Sequence, residues 1–316
     1  MFEFNRKSFK HILSVAVLMW CTVMVNACAN PAAKTVSHLK KEQHLIADFA
    51  KHRQLSDEVT HKEVQKYVKS FQKDPRIFNH LDEDRLVIMR YIFEELKRRK
   101  MPAELAMIPL VESGYQPGAS NNGRYVGLWQ FGKVTAEHFG IDVHKNYDGR
   151  FNPELSTKAA LDYLQYLNKM FDGDWLLTIA AYNAGEGRVK RSIQANRQKG
   201  KKVDYWHIDL PEVTRAYIPK VLALSEVIAD RERLAAVSHS EIPNLVRVRV
   251  ENSEKMKKII RDSDISMEVI EFYNPNVKHK NSVRSIMIPE NELKHLKGLS
   301  SKERDQYIVY GSRKQS

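Results

Sequence analysis

Glu112 is the residue of this chain best placed for acid–base chemistry. It closes the run Ile108-Pro109-Leu110-Val111, stands two residues ahead of Gly114, and precedes a stretch of turn formers, amides and aromatics that ends in "GLWQF". A carboxyl set against apolar side chains ionises with difficulty because its anion is poorly solvated, so its pKa rises toward that of a general acid. The plain structural alternative is a helix that ends at Gly114 and carries a glutamate in its last turn. Gln130 adds an amide between Trp129 and Phe131, a setting suited to hydrogen bonding a sugar at an aromatic edge. Trp129 itself reads as core.

Glycoside hydrolysis ordinarily uses two carboxylates. No second acid lies between "VESGY" and "GLWQF". Asp148, Asp162, Asp172 and Asp174 fall in other segments, where caps and turns account for them, and sequence order does not reveal spatial neighbours. The histidines lack ligand spacing, so no metal site is expected. No cofactor motif is present either.

The strings "MPAELAMIPLVESGYQPGAS", "GLWQF", "YDGRFNPELSTKAALDYL", "DWLLTIAAYNAGEGRV" and "LPEVTRAYIPKVLALSEVI" occur in that order. Together they resemble the catalytic domain of the soluble-type lytic transglycosylases over more than a third of the chain. The resemblance implies a goose-lysozyme-like helical fold that cleaves peptidoglycan between N-acetylmuramic acid and N-acetylglucosamine, without a cofactor. It implies that Glu112 is the catalytic acid and then the base. Ser120 and Gln130 would face substrate, Tyr182 and Asn183 would line the cleft, and Tyr217 would lie across from the acid. Packed tyrosines and a loop-holding asparagine are the structural alternatives for Tyr182, Tyr217 and Asn183. After "GLWQF" this chain reads Gly132-Lys133 where the family has a methionine-like residue and proline, which implies a more open cleft floor with Lys133 near the substrate.

The mechanism implied needs one carboxyl. Glu112 protonates the leaving oxygen, the substrate's acetamido group stabilises the cationic centre, and Glu112 then takes the proton of the muramic primary hydroxyl, which closes an anhydro ring. Hydrolysis by a muramidase is the nearest rival. A catalytically idle wall-binding lipoprotein is the rival from another class. With +12 formal charge and a pI near 9.5 the chain favours anionic partners, yet it carries no nucleic-acid recognition motif.

The N-terminus sets the address. "FNRKSFKH" is basic, "ILSVAVLMWCTVMV" is apolar over the length of a signal-peptide core, and "VNACAN" resembles a lipobox with Cys28 as the acylated residue. Ordinary cleavage after Ala27-Cys28-Ala29 is the alternative. Both cysteines, Cys21 and Cys28, lie in this segment, so the remainder holds no disulfide. Ala29, rather than Asp, after Cys28 implies the outer membrane, with the body facing the periplasm and tethered by lipid.

The elements that must position Glu112 are helical. Apolar residues recur three and four apart in "HLKKEQHLIADFAKHR" and "HKEVQKYVKSFQKD". "DEDRLVIMRYIFEELKRRK" opens on acids and closes on bases, as a helix dipole favours. Pro109 is expected to reset the helix before Glu112. Residues 114 to about 153 read as loops, Ser156 or Thr157 as the cap of the next helix, and Asp174 as the cap of another. From Asn244 the period changes to β-α-α-β, which resembles a lysin-motif carbohydrate-binding module without its Gly-Asp-Thr turn; a small domain with no ligand reads equally well. The expected organisation is a signal peptide over 1–28, a helical region over 29–100, the catalytic domain over 101–230, the lysin-motif-like domain over 244–290 and a disordered basic tail over 291–316. The fold class expected is mainly α, with a lysozyme-like catalytic domain.

Overall fold

The computed structural model describes residues 45–74, 81–230, 242–277, 283–299 and 308–309. The signal segment and Cys28 lie outside the described residues. The protein is mainly helical. A helical segment over 45–51 leads to α1 (Lys62–Lys73) and α2 (Glu83–Arg98). Asp82 caps α2 by accepting from the Arg85 amide at 3.0 Å. A 3-10 turn over Ala103–Ala106 passes into α3 (Met107–Ser113), which carries Glu112. Pro109 is tolerated there because it lies in the first turn, where its missing N–H has no intrahelical partner. The reset expected at Pro109 thus falls two residues earlier, at the junction of the two helix types.

The stretch read as loops contains structure. β1 (Ser120–Asn121), β2 (Tyr125–Val126) and β3 (Phe131–Gly132) form a small antiparallel sheet, with Ser120 opposite Val126 and Tyr125 opposite Gly132. The short α4 (Lys133–His138) follows, then a hairpin of β4 (Val143–His144) and β5 (Tyr147–Asp148). Two-residue strands are too short to write an alternating pattern, so periodicity alone does not reveal them.

α5 (Pro153–Met170) begins three residues before the expected cap. Asn152 is the cap, accepting from the amides of Glu154 at 2.9 Å and Leu155 at 3.0 Å, and Pro153 opens the helix. Ser156 and Thr157 are buried inside it. Thr157 accepts from the Trp129 indole at 3.0 Å, which holds that ring, fully buried, in the core as the sequence suggested. α6 (Trp175–Ala184) is capped by Asp174 through the Leu177 amide at 2.9 Å. α7 (Glu186–Gln198) follows at once, and α8 (Glu212–Ala229) runs against α1, α3 and α6. Pro219 sits inside α8 and cannot donate to the Arg215 carbonyl one turn back; the Tyr205 hydroxyl donates there instead, at 2.8 Å.

At the C-terminus, β6 (Leu245–Arg249), α9 (Ser253–Asp262), α10 (Met267–Tyr273) and β7 (Ser285–Pro289) give the β-α-α-β order, with β6 and β7 antiparallel and Arg249 opposite Ser285. One sheet face, with Val246, Val248, Ile286 and Ile288, packs on the unit's own helices. Alternate residues point the other way, and Leu245 and Met287 join the core of the main body. The segment expected as a disordered tail departs from that expectation. Glu290–His295 form a 3-10 turn, Leu296 and Leu299 pack into this second core, and β8 (Ile308–Val309) pairs with β6. Burial of leucines spaced three apart outweighs the basic composition around them.

Candidate active site

α3 places Glu112 in its last turn, and the chain then reverses sharply. Gly114 caps the helix in the left-handed region, with φ of 61°, and its amide donates to the Leu110 carbonyl at 3.0 Å. Tyr115 also has positive φ and is held there by burial, its hydroxyl donating to the Ala106 carbonyl at 2.8 Å. The single Ser113 hydroxyl hydrogen is shared between the Pro109 carbonyl at 3.1 Å and the Leu128 carbonyl at 2.9 Å. The last of these bonds ties the helix of Glu112 directly to "GLWQF".

Glu112 opens onto a cleft of about 900 Å³. Burial raises its pKa, and a hydrogen bond from Tyr217 offsets part of that rise by favouring the anion. The Tyr217 hydroxyl donates to Glu112 Oε1 at 2.5 Å. Burial first, and then the charge of Glu112, push the Tyr217 hydroxyl well above its ordinary pKa, so it stays a donor. Tyr182 is raised in the same way. Its hydroxyl donates to the Trp129 carbonyl at 2.7 Å while its ring meets those of Trp129, Phe131 and Tyr163.

The cleft brings together four of the residues singled out: Glu112, Gln130, Tyr182 and Asn183. Gln130 has positive φ, 47°, and its side-chain amide donates to the Gly127 carbonyl at 2.8 Å. Asn183 accepts from Thr214 at 2.8 Å, which fixes its carbonyl oxygen and leaves its amide hydrogens for the cleft. Tyr217 is 5% exposed and acts from behind Glu112 rather than as cleft wall. Ser120 does not line the cavity. It sits on β1 with its hydroxyl accepting from the Gly123 amide at 3.1 Å, which holds the β1–β2 turn. Lys133 does line it, as the departure after "GLWQF" implied.

Among the cleft residues that escaped the sequence reading are Arg124, Tyr125, Tyr163 and Glu186. Arg124 lies over the Tyr125 ring at 5.3 Å. Glu186 is a second carboxylate on the cavity wall and accepts from Tyr163 at 3.1 Å. "AAYNAGEG" contained it, but its place in the first turn of α7 reads equally as a response to the helix dipole.

The wall carrying Gln130 is held by Arg150, only 3% exposed. Its guanidinium pairs with Asp148 at 2.6 Å and donates to the carbonyls of Gly123 at 3.1 Å, Arg124 at 3.2 Å and Phe131 at 2.9 Å. Gly127, with φ of +81°, passes so near that a Cβ there would stand 2.0 Å from the Arg150 carbonyl oxygen. Among the described residues no group of three or more His, Cys, Asp or Glu side chains could hold a metal ion, and no helix is long and apolar enough to cross a membrane.

Residues 90–205 of this mainly helical body, which sets the half-buried Glu112 at the edge of a polar, aromatic cleft, match the transglycosylase SLT domain family. The chain is 38% identical over 215 residues to the membrane-bound lytic murein transglycosylase D of Escherichia coli K12, covering 66% of this chain and 48% of that protein. It is also 44% identical over 109 residues to a putative tributyltin chloride resistance protein of an Alteromonas species, covering 34% and 53%. The soluble lytic murein transglycosylase of Escherichia coli K12 is 28% identical over 154 residues, covering 47% and 24%. The chain thus spans about half the length, or less, of the curated relatives it matches.

Proposed function

We propose that this protein is a peptidoglycan lytic transglycosylase that cleaves the bond between N-acetylmuramic acid and N-acetylglucosamine and leaves an anhydro-muramic end. The observation that carries the reading is Glu112, whose carboxyl burial pushes above its ordinary pKa and which Tyr217 bonds in a way that supports its anion once the proton is given. Glu112 gives its proton to the glycosidic oxygen as the C1–O bond breaks, and the acetamido oxygen of the muramic residue closes on C1. The carboxylate then takes the proton of the C6 hydroxyl, whose oxygen bonds to C1 and releases the acetamido group. Glu112 ends protonated and no water is consumed. Gln130 and the Asn183 amide supply hydrogen bonds to the sugars, Tyr182 supplies an aromatic wall, and Lys133 and Arg124 give the cleft a positive rim that suits a substrate bearing carboxylates. Ser120 serves this reading by shaping the β1–β2 turn.

Glu186 favours a second reading. A carboxylate on the same cavity wall is what a hydrolytic muramidase requires to activate water. Mass spectrometry of muropeptides released from purified sacculi separates the two, since the anhydro product is lighter by one water. Anhydro ends from the wild type and from Glu186→Gln support transglycosylation, whereas reducing ends lost in Glu186→Gln would establish the hydrolase. Within the same proposal, Cys28 carries the lipid that holds the body at the outer membrane, and the β-α-α-β unit is a divergent lysin-motif-like domain.

A further inference from the structure

The C-terminal unit reaches the catalytic cleft through two chains of contacts. The first starts at the end of α10. The Tyr273 hydroxyl, on a side chain fully buried in the main core, donates to Asp84 at 2.7 Å in the first turn of α2. Beside it the Phe272 ring faces the Arg85 guanidinium at 5.7 Å. Arg85 pairs with Asp82 and donates from Nε to the Gly114 carbonyl at 3.1 Å. Gly114 is the left-handed cap of the helix that carries Glu112, so the ring of Phe272 steadies the group that fixes that cap.

The second chain starts three residues on. Asn276 donates to the Asp148 carbonyl at 2.6 Å. Asp148 is the carboxylate partner of Arg150, and Arg150 holds the carbonyls of Gly123, Arg124 and Phe131 in the opposite wall of the cleft. Pro275 abuts Gly118 on the way between the two walls, lying 3.7 Å from where a Cβ would stand.

We propose that Phe272 and Asn276 are positioning residues for the catalytic cleft: Phe272 sets the helix end that aims Glu112, and Asn276 sets the wall that carries Gln130. The C-terminal unit is then part of the active-site framework, whatever it binds. Neither residue touches the cleft. A shift of the order of 1 Å in an acid relative to its bond costs about a hundredfold in rate, so partial loosening of the cap is visible in turnover before the fold is lost.

The test uses the full chain well below its unfolding temperature. Phe272→Leu keeps bulk and removes the π face; Phe272→Tyr restores the face, and the half-buried site leaves its hydroxyl a path to water. Asn276→Asp keeps shape and removes the donor. Expected are kcat values roughly tenfold lower for Phe272→Leu and Asn276→Asp with KM within about twofold, and recovery in Phe272→Tyr. Hydrogen exchange gives the reading that does not depend on activity. Phe272→Leu is expected to speed exchange at the Gly114 and Tyr115 amides, and Asn276→Asp over residues 123–132. Unchanged kcat and unchanged exchange at those amides overturn the proposal, as does a loss in Phe272→Leu that Phe272→Tyr fails to restore. The proposal rests on the lytic reading only for its kinetic arm. If the wild type releases no glycan product, that reading fails while exchange still decides the positioning role.

Discussion

Tyr217 donates a hydrogen bond of 2.5 Å to Glu112 Oε1, across 105 residues of chain. Two opposing influences meet in that contact. Burial by the surrounding apolar side chains favours the neutral acid, and the phenol favours the anion. The proposed role, in which Glu112 first donates and then accepts a proton, draws on both, because neither state is left without support.

Glu112→Gln keeps shape and cannot donate a proton. Release of muropeptides from sacculi is expected to fall by roughly a hundredfold to ten-thousandfold. The same variant should gain stability at neutral pH. The folded-state pKa of Glu112 lies above its unfolded value, so the folded state binds more protons between the two, and stability falls as pH rises through that window. The advantage of Glu112→Gln over wild type should therefore shrink as pH drops through the ordinary glutamate range. Melting temperatures measured across pH check this, and a constant difference at all pH values would contradict it.

Tyr217→Phe removes the interaction that lowers the pKa of Glu112 and leaves its burial in place. The carboxyl should hold its proton to higher pH, and the alkaline limb of the kcat/KM profile should move upward. A limb that moves downward would mean that the phenol supports the protonated acid instead.

Gly127→Ala should destabilise the protein by about 2 kcal/mol or more. The added Cβ must either abandon positive φ or displace the Arg150 carbonyl, and Arg150 anchors the cleft wall. Denaturant midpoints measure the loss. Gly123→Ala also has positive φ but meets no atom within 4 Å, so its cost should be confined to backbone strain.

Cys28→Ser should free the protein from membranes, abolish labelling by a fatty acid and leave the specific activity unchanged. One lipid chain contributes through its buried methylenes only, and the folded body is untouched. A serine variant that stays unprocessed in the membrane fraction would identify residues 12–25 as an uncleaved anchor.

The sequence by itself determined what is local. The cap Asp174, the stop at Gly114 after Glu112, the buried Trp129 and the switch of period at Asn244 were legible, because each depends on the next few residues along one element. Resemblance placed Tyr217 across from Glu112, which no spacing could show, and the structure supplied the hydrogen bond between them. Other features were settled in three dimensions. Ser120 faces its own turn rather than the cleft because the Gly123 amide is a nearer partner for its hydroxyl. Glu186 reaches the cavity because α7 starts directly where α6 ends, at the cleft mouth. Arg150 and Asn276 bind backbone carbonyls, which carry no signature in the residue types that present them. Periodicity reports which face of an element is buried, but not what it is buried against. That is why Phe272, Tyr273 and Asn276 read as features of a small appended unit until the fold set them against Asp84, Arg85 and Asp148, beside the helix of Glu112 and the wall of the cleft.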